Sequence, residues 1–349
     1  MIYEVINLNP EHEATLTCFR QQVGGEFGNI VKRPAMIVIP GGGYQFCSER
    51  EADPIVFPFL SAGYQVFVLR YALQKKAVWP NPLRDYEDAA RLIRSKADEW
   101  GIYPDKLAVV GFSAGGHLAA SAATLSAPDC RPNAAILGYA VLSEESAHEW
   151  EKTAPGLPEM VDKDTCPCFL FASRNDSMVP VSNTIAFMTA LEKAGISFES
   201  HIYAFAPHGA STGSSAVTPP DALNCSRVPH WVDDSIEWLK DMLGDFGAGK
   251  MTEPKCGHYV NADAAGGFSL DNTVGYLMSD PRSRAILAPI MEAAQKKANE
   301  QWGGGEDSGE DRPGSAVGMR ITLREGLKFA GAPEEAVKQL EAALKAIES

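Results

Sequence analysis

The chain lacks long apolar runs: none of its apolar stretches reaches the roughly 18 residues that a membrane-spanning helix needs. The first ten residues also lack the basic segment and apolar core of a secretory signal peptide. Basic residues are in deficit, because 31 Lys and Arg face 45 Asp and Glu, which gives a net charge of -14. A charge of this sign disfavours nucleic acid and anionic membranes as partners. We therefore predict a cytoplasmic protein that binds neither.

Closely spaced cysteines are also lacking. The seven cysteines include no C-x-x-C pair, and only Cys166 and Cys168 stand near each other. Zinc sites and thioredoxin-like sites both need such pairs, so neither is indicated. Cys256 and His258 stand two residues apart, but no second ligand pair accompanies them. We predict no metal site, and we leave open a disulfide that involves Cys225.

The strongest positive signal lies in residues 106–124. Residues 107–110 form a short apolar run rich in β-branched side chains, which predicts a buried strand, and the Ala-rich residues 117–124 predict a helix. Between them stands G-F-S-A-G, with Ser113 at its centre. A strand, a sharp turn with serine at its apex, and a helix are typical of a nucleophile elbow. We therefore predict that Ser113 is a nucleophile.

The elbow also explains the two glycines. Ser113 must sit on a strained turn that lifts its hydroxyl out of the sheet, and strand and helix then pack closely around that turn. Only a residue without Cβ fits at Gly111 and Gly115, two positions before and after the serine. The N-terminus of the following helix favours negative charge that develops beside the serine.

Three consecutive glycines follow another predicted strand, residues 34–39. The sequence there reads P-G-G-G-Y, from Pro40 to Tyr44. Such a run costs chain entropy and suits a loop whose backbone N–H groups approach a ligand closely. In hydrolases the loop after the third strand contributes to the oxyanion hole. A flexible turn is the alternative interpretation.

Strands and helices alternate through the first two thirds of the chain. We predict eight strands, at residues 1–7, 14–20, 34–39, 64–71, 107–110, 134–142, 168–172 and 198–203. We predict intervening helices at residues 54–61, 83–100, 117–124, 180–194 and 231–243. This alternation predicts an α/β domain with a mostly parallel sheet flanked by helices, and functional groups at the carboxyl ends of the strands.

The last part of the chain differs in character. Residues 246–269 are rich in Gly, Lys and acidic residues and read as a linker that ends the catalytic domain, residues 1–245. Residues 270–349 form a small all-α domain with a flexible loop at 301–316. We predict its helices at residues 272–278, 281–298, 323–330 and 334–347. This domain is a candidate dimerisation or docking module, which leaves a homo-oligomer open.

A serine nucleophile needs a base and an orienting carboxylate, and in a parallel hydrolase sheet these follow in the order Ser, Asp or Glu, His. Asp176 follows the strand at 168–172, and His208 follows the strand at 198–203. We predict these two residues for the roles. The alternative histidines are His12, His117, His148, His201, His258 and, as the main competitor, His230. The alternative orienting groups are Asn175, Ser177, Glu144 and Glu145.

Six stretches then carry a family resemblance: I-P-G-G-G-Y, R-Y-A-L, P-x-P-L-R-D-Y-E-D-A, V-G-F-S-A-G-G-H-L-A, N-D-x-x-V-P and A-P-H-G. Together they resemble the α/β-hydrolase superfamily, near bacterial acetylxylan esterases and the acetyl esterase/lipase group. The resemblance covers residues 1–245 and implies that Gly42, Gly43 and the N–H of Ala114 line the oxyanion hole. Hormone-sensitive-lipase relatives have His before the glycines, where this chain has Pro40. The helical tail resembles small C-terminal modules of some carbohydrate-esterase-type proteins.

The resulting hypothesis is a serine esterase that needs no cofactor and removes acetyl groups from a small ester substrate. Residues 71–82 and 139–166 are too short for a large cap domain, and an open site suits a small acyl group on a bulky polar alcohol such as a xylo-oligosaccharide. Trp79 or Trp150 would then either stack on sugar or pack internally. The rivals are a general carboxylesterase, an arylformamidase, a prolyl-oligopeptidase-like peptidase and a non-catalytic binding protein.

Overall fold

Eight strands form one sheet in the order β1-β2-β4-β3-β5-β6-β7-β8. Their bounds are β1 Ile2–Asn9, β2 Ala14–Arg20, β3 Arg33–Ile39, β4 Gln65–Arg70, β5 Ile102–Phe112, β6 Ala134–Gly138, β7 Cys168–Ser173 and β8 Phe198–Tyr203. Strand β2 runs antiparallel to both of its neighbours, and β3 to β8 run parallel. The predicted eight-stranded, mostly parallel sheet is therefore confirmed.

The structure is a computed structural model that describes residues 1–218, 224–247, 250–302 and 315–347. It divides into two units, Met1–His258 and Tyr259–Ser349. The division falls inside the stretch 246–269 that we predict as a linker. Within the described ranges, no helix combines the length and the apolar character that crossing a membrane requires.

Helices cover both faces of the sheet in the first unit and make up the second unit. The first unit contains α1 Asp53–Ser61, α2 Asn81–Ser95, α3 Ala97–Trp100, α4 Ser113–Thr124, α5 Glu144–His148, α6 Ser182–Ala194 and α7 His230–Leu243. The second unit contains α8 Val274–Ser279, α9 Pro281–Trp302, α10 Ser315–Arg320, α11 Leu323–Phe329 and α12 Glu334–Lys345.

Several element boundaries differ from the sequence predictions. The helix predicted at 83–100 is two helices, because the backbone of Lys96 (φ -97°, ψ 8°) leaves the helical region. The strand predicted at 134–142 ends at Gly138, since Tyr139 adopts a positive φ of 34° and turns the chain. Helix α4 begins at Ser113, four residues before its predicted start. Helices α5 and α10 were not predicted, and α10 occupies the end of the predicted loop 301–316, of which residues 303–314 lie outside the described ranges.

The core of the first unit is built on the central parallel strands. Strands β3, β6 and β7 are buried along their whole length, because helices cover both faces of the sheet. Trp231 of helix α7 stacks on Phe171 of β7, with 4.4 Å between ring centroids, and Phe112 meets Trp231 edge-on at 5.7 Å. These rings anchor the carboxyl ends of β5 and β7 to one helix.

In the second unit, two helices begin with the same threonine N-cap. Thr273 caps α8 and Thr322 caps α11, each by accepting an N–H three residues ahead, and an isolated antiparallel bridge pairs the two threonines. A proline then follows near the start of each next helix, Pro281 for α9 and Pro333 for α12. The unit has its own apolar core, formed by Phe268, Leu270, Val274, Leu277, Leu287, Leu323, Leu340 and Leu344.

The close approach of α4 to the sheet is confirmed at both glycines of the elbow. A Cβ on Gly111 would collide with the carbonyl oxygen of Gly115 and lie 2.7 Å from the Cβ of Ala119. A Cβ on Gly115 would collide with the carbonyl oxygens of Ile39 and Pro40. Because these neighbours are mostly backbone atoms, no rotamer change can make room.

We predict that Gly115→Ala lowers the free energy of unfolding by about 1–3 kcal/mol, because the added methyl group overpacks the contact between α4 and the end of β3. Alanine is intrinsically the better helix former by about 1 kcal/mol, so a loss of stability isolates the steric effect. Urea unfolding followed by tryptophan fluorescence measures the change. Gly28→Ala is the matched control, since its nearest neighbour would be 3.5 Å away. Equal stability of the two variants would contradict the prediction.

Candidate active site

Ser113 stands at the turn between β5 and α4 as the first residue of the helix. Its φ of 52° lies in the left-handed region that residues with a side chain rarely adopt. Its carbonyl oxygen accepts the N–H of Val141 at 3.1 Å, which ties the turn to the chain beyond β6. The strained turn predicted from G-F-S-A-G is therefore present, and the serine lies at the carboxyl end of a central strand.

Two polar side chains reach this serine from the loops after β7 and β8. Nε2 of His208 lies 2.9 Å from Oγ of Ser113, and Nδ1 of His208 lies 2.7 Å from Oδ2 of Asp176. The other carboxylate oxygen of Asp176 accepts the N–H groups of Met178 (2.9 Å) and Val179 (3.0 Å). These backbone donors fix the carboxylate, which in turn fixes the imidazole with its proton on Nδ1. The structure thus brings together the three residues that the chain order singled out.

The alternative residues lie in other places. Asn175 accepts the N–H of Ala206 at 3.0 Å, Ser177 is exposed, and Glu144 and Glu145 are exposed in the first turn of α5. The other six histidines are His12 between β1 and β2, His117 in α4, His148 in α5, His201 in β8, His230 at the exposed start of α7 and His258 at the end of the first unit. Among the described residues, no three His, Cys, Asp or Glu side chains gather in a way that could hold a metal ion.

The glycine loop after β3 packs against the serine turn at Gly41, where an added Cβ would lie 2.9 Å from the Cβ of Ser113. The N–H of Gly41 donates to Oε2 of Glu51 at 2.8 Å. The N–H groups of Gly42 and Gly43 have no hydrogen-bond partner in the part of the chain that the structure describes. The N–H of Ala114 belongs to the first turn of α4, where the helix itself offers no acceptor. The three N–H groups that the resemblance implies for an oxyanion hole are therefore available.

Trp150 bounds the space beside this loop. A Cβ on Gly43 would lie 2.5 Å from the indole ring of Trp150, so the ring packs directly on the glycine. Trp150 and Trp79 are both partly buried against a small apolar cluster formed by Val141, Ala147, Ala154 and Val179. Both indoles therefore pack internally on their inner faces.

A buried histidine next to the site was not predicted to have a role. His117 lies in α4, four residues after Ser113, and is fully buried. Its Nε2 donates to the carbonyl oxygen of Pro155 (2.8 Å), so its Nδ1 accepts the hydroxyl of Tyr44 (2.7 Å). Burial lowers the pKa of His117 from 6.5 to about 4. This neutral imidazole holds Tyr44, which follows the three glycines with a φ of 58°.

A second unpredicted group is a network behind the serine and histidine. Glu51 is 3% exposed, and its Oε1 accepts the hydroxyl of Tyr139 at 2.6 Å. The Tyr139 oxygen accepts the N–H of Ser211 at 2.9 Å, and the Tyr139 ring packs edge-on against His208 with centroids 5.1 Å apart. The sequence signal for Glu51 is weak, because an acidic residue before an apolar helix reads as a favourable helix start.

Both families that match this chain match residues of its first unit. Residues 28–135 match the family described as BD-FAE, and residues 141–244 match the prolyl oligopeptidase family. The solved structure of MGS-M1, an alpha/beta hydrolase enzyme from a Medee basin deep-sea metagenome library, is 42% identical. The match covers 70% of this chain and 98% of that chain, with a TM-score of 0.64.

Two further relatives carry descriptions of their substrates. The solved acetyl ester-xyloside bifunctional hydrolase of Caldicellulosiruptor lactoaceticus is 32% identical over 65% of this chain and 87% of that chain, with a TM-score of 0.57. The acetylxylan esterase of Xylanibacter ruminicola is 29% identical over 60% of this chain and 46% of that protein. The chain spans only 33% to 57% of the length of the curated relatives it matches.

We predict that acid destabilises the fold through His117. Its pKa is about 4 in the folded chain and 6.5 when unfolded, so between these values the unfolded chain binds more protons. Stability is therefore lost as the pH falls from about 6.5 to about 4, by about 1.4 kcal/mol per pH unit from this group. Urea unfolding of the wild type and His117→Gln at pH 7, 5.5 and 4.5 measures the difference. A difference that stays constant across this range would contradict the prediction.

Proposed function

We propose that this chain, which belongs to the α/β-hydrolase family, is a serine esterase that removes short acyl groups, mainly acetyl, from acetylated xylo-oligosaccharides. One observation carries the proposal: Ser113, His208 and Asp176 form a continuous hydrogen-bonded chain at the carboxyl ends of β5, β8 and β7. A serine held this way by a base and an orienting carboxylate is a nucleophile for acyl transfer.

In the proposed mechanism the Oγ of Ser113 attacks the acyl carbonyl carbon while Nε2 of His208 takes the hydroxyl proton. Asp176 stays ionised and stabilises the imidazolium that forms. The N–H groups of Gly42, Gly43 and Ala114 donate to the oxyanion of the tetrahedral intermediate, and losing one such donor typically costs about 3 kcal/mol. The alcohol leaves with the proton from His208.

Deacylation repeats these steps with water. His208 takes a proton from a water molecule as its oxygen attacks the acyl-enzyme, and returns the proton to Ser113 as the carboxylic acid leaves. The chain's own serine, imidazole, carboxylate and backbone N–H groups account for every proton and charge, so the proposal includes no metal ion or organic cofactor.

The substrate proposal rests on the space around the serine. The indole of Trp150 against Gly43 closes the region beside the proposed oxyanion hole and favours an acyl group as small as acetyl. Within the first unit, the described segment between β6 and β7 contains only the short helix α5 and one 3-10 turn, Pro158–Met160, which makes no large cap. The relatives called acetylxylan esterase and acetyl ester-xyloside bifunctional hydrolase support an acetylated xyloside.

A peptidase is the second candidate, because residues 141–244 match the prolyl oligopeptidase family. That match contains Asp176 and His208 but not Ser113, and the same triad serves esters and amides alike. Assays with a proline-containing peptide amide and with an arylformamide separate these amidase functions from the esterase.

We predict that the wild-type protein releases acetate from acetylated xylo-oligosaccharides and from p-nitrophenyl acetate. Ser113→Ala removes the nucleophile and should reduce kcat on the order of 10⁶-fold, and Asp176→Asn should cost about 10⁴-fold through the wrong histidine tautomer. Ser177→Ala is the matched control, because this exposed neighbour of Asp176 faces solvent and should keep wild-type rates.

The two substrates separate the parts of the proposal. Release of acetate from both substrates by the wild type, and from neither by Ser113→Ala, supports both the serine esterase and the xylo-oligosaccharide substrate. Hydrolysis of p-nitrophenyl acetate alone supports the serine esterase and contradicts the xylo-oligosaccharide as its substrate. Inactivity on both esters, or an undiminished rate in Ser113→Ala, overturns the serine esterase.

We also predict that Trp150 sets the preference for short acyl groups. Trp150→Ala opens the space beside Gly43, so kcat/KM for p-nitrophenyl hexanoate relative to the acetate should rise by about 10-fold or more. Phe57→Ala, which truncates a 63% exposed ring on α1, should leave this ratio unchanged. An unaltered ratio in Trp150→Ala would show that another group limits acyl length.

A further inference from the structure

Glu51 is a buried carboxylate that the proposed reaction steps do not use. It ends a 3-10 turn, Glu49–Glu51, just before helix α1, and burial raises its pKa. Burying a carboxylate is costly unless the carboxylate is well hydrogen-bonded, so its partners indicate what it does. Those partners are two parts of the site that are far apart in the chain.

The carboxylate of Glu51 accepts both of its hydrogen bonds. Oε2 accepts the N–H of Gly41 at 2.8 Å, and a backbone N–H can only donate. The oxygen of Tyr139 accepts the N–H of Ser211, so the Tyr139 hydroxyl proton points to Oε1 of Glu51, 2.6 Å away. Each carboxylate oxygen therefore receives a proton donor, and the arrangement requires an acceptor at both positions.

This network packs directly beneath the reacting groups. A Cβ on Gly41 would lie 2.8 Å from Oε2 of Glu51 and 2.9 Å from the Cβ of Ser113. A Cβ on Gly209, the residue after His208, would lie 3.8 Å from Oε1 of Glu51. The carboxylate thus sits between the glycine loop on one side and the histidine loop on the other.

Ser211 is held from three directions, which extends the network. Its N–H donates to Tyr139, its hydroxyl donates to the carbonyl oxygen of Arg50, and its carbonyl oxygen accepts the indole N–H of Trp231 at 2.9 Å. Ser211 also has a positive φ of 54°, so the loop after His208 keeps a strained course. A shift of Tyr139 or Glu51 therefore moves the chain three residues after the base.

We propose that Glu51 is a positioning residue that fixes the glycine loop and the His208 loop relative to each other through Gly41 and the Tyr139 hydroxyl. The inference rests on the proposed esterase function, since it concerns the relative placement of the oxyanion donors, Ser113 and His208. The N–H of Gly41 donates a hydrogen bond to Glu51, which anchors the loop and keeps the N–H groups of Gly42 and Gly43 directed at the substrate. An acceptor at both oxygens is what the position demands.

Glu51→Gln tests the inference with an isosteric side chain. A glutamine has one acceptor oxygen, so it faces either Gly41 or Tyr139 with an NH₂ donor and loses one of the two anchors. We expect kcat on p-nitrophenyl acetate to fall about 10- to 100-fold with KM changed less than about 3-fold, because misplacement of this size acts on the transition state. The rate at which a fluorophosphonate labels Ser113 should fall in parallel.

Two further variants make the test specific. Tyr139→Phe removes the middle hydroxyl and should produce the same split of kcat against KM, and the double variant should be no slower than the slower single variant within about 3-fold. Glu49→Gln is the matched control, because Glu49 is exposed and pairs with Arg70 on the surface. It should keep wild-type kcat and labelling rate.

The outcomes separate this inference from the proposed function. A wild-type protein that neither hydrolyses the ester nor reacts with the fluorophosphonate would overturn the esterase itself. An active wild type with equal kcat in Glu51→Gln, assayed well below the melting temperature of the variant, would overturn the positioning role. If Glu51→Gln does not fold, Tyr139→Phe decides: wild-type kcat in that folded variant would overturn the inference.

Discussion

The site depends on how closely helix α4 lies against the sheet at the elbow. With no Cβ at Gly111 and Gly115, the first turn of α4 touches the backbone at the ends of β5 and β3. This contact holds Ser113 in a left-handed conformation that costs on the order of 1–3 kcal/mol. The glycine loop also packs against this turn, since a Cβ on Gly41 would lie 2.9 Å from the Cβ of Ser113.

The two histidines near the serine differ in their hydrogen-bond partners. His117 is fully buried, and its bonds to Pro155 and Tyr44 keep it neutral with the proton on Nε2. His208 is partly exposed and carries its proton on Nδ1, toward Asp176, which leaves Nε2 to face Ser113. The hydrogen-bond partners thus give the two imidazoles different tautomers, with the proton on Nε2 in His117 and on Nδ1 in His208.

Much of the fold could be predicted because apolar runs and turn residues are local signals. Apolar periodicity and turn residues indicated all eight strands and ten of the twelve described helices, with α2 and α3 merged into one prediction. The boundary errors, as at Lys96 and Tyr139, fall where the backbone changes conformation in a way that local sequence patterns do not encode. The proximity of Asp176, His208 and Ser113 also follows from sequence, because parallel strands bring their carboxyl ends to one edge. Their catalytic roles stay a prediction.

The residues that sequence reasoning missed are joined by contacts between distant parts of the chain. Glu51 and Tyr139 are 88 residues apart, and Tyr44 and His117 are 73 apart. Neither pair has a characteristic spacing, and a lone buried Glu or His looks the same in sequence as a surface one. Such groups emerge only when the fold shows that a backbone N–H or a hydroxyl has no other acceptor.

Four non-glycine residues at the site have a positive φ: Tyr44, Ser113, Tyr139 and Ser211. Glycine would relieve the backbone strain at each of them. Yet all four side chains hydrogen-bond within the site, so the same substitution would remove a contact that the site uses. At each of these positions the gain in backbone energy would therefore come with the loss of a hydrogen bond within the site, so the strain and the bonding belong to the same residues.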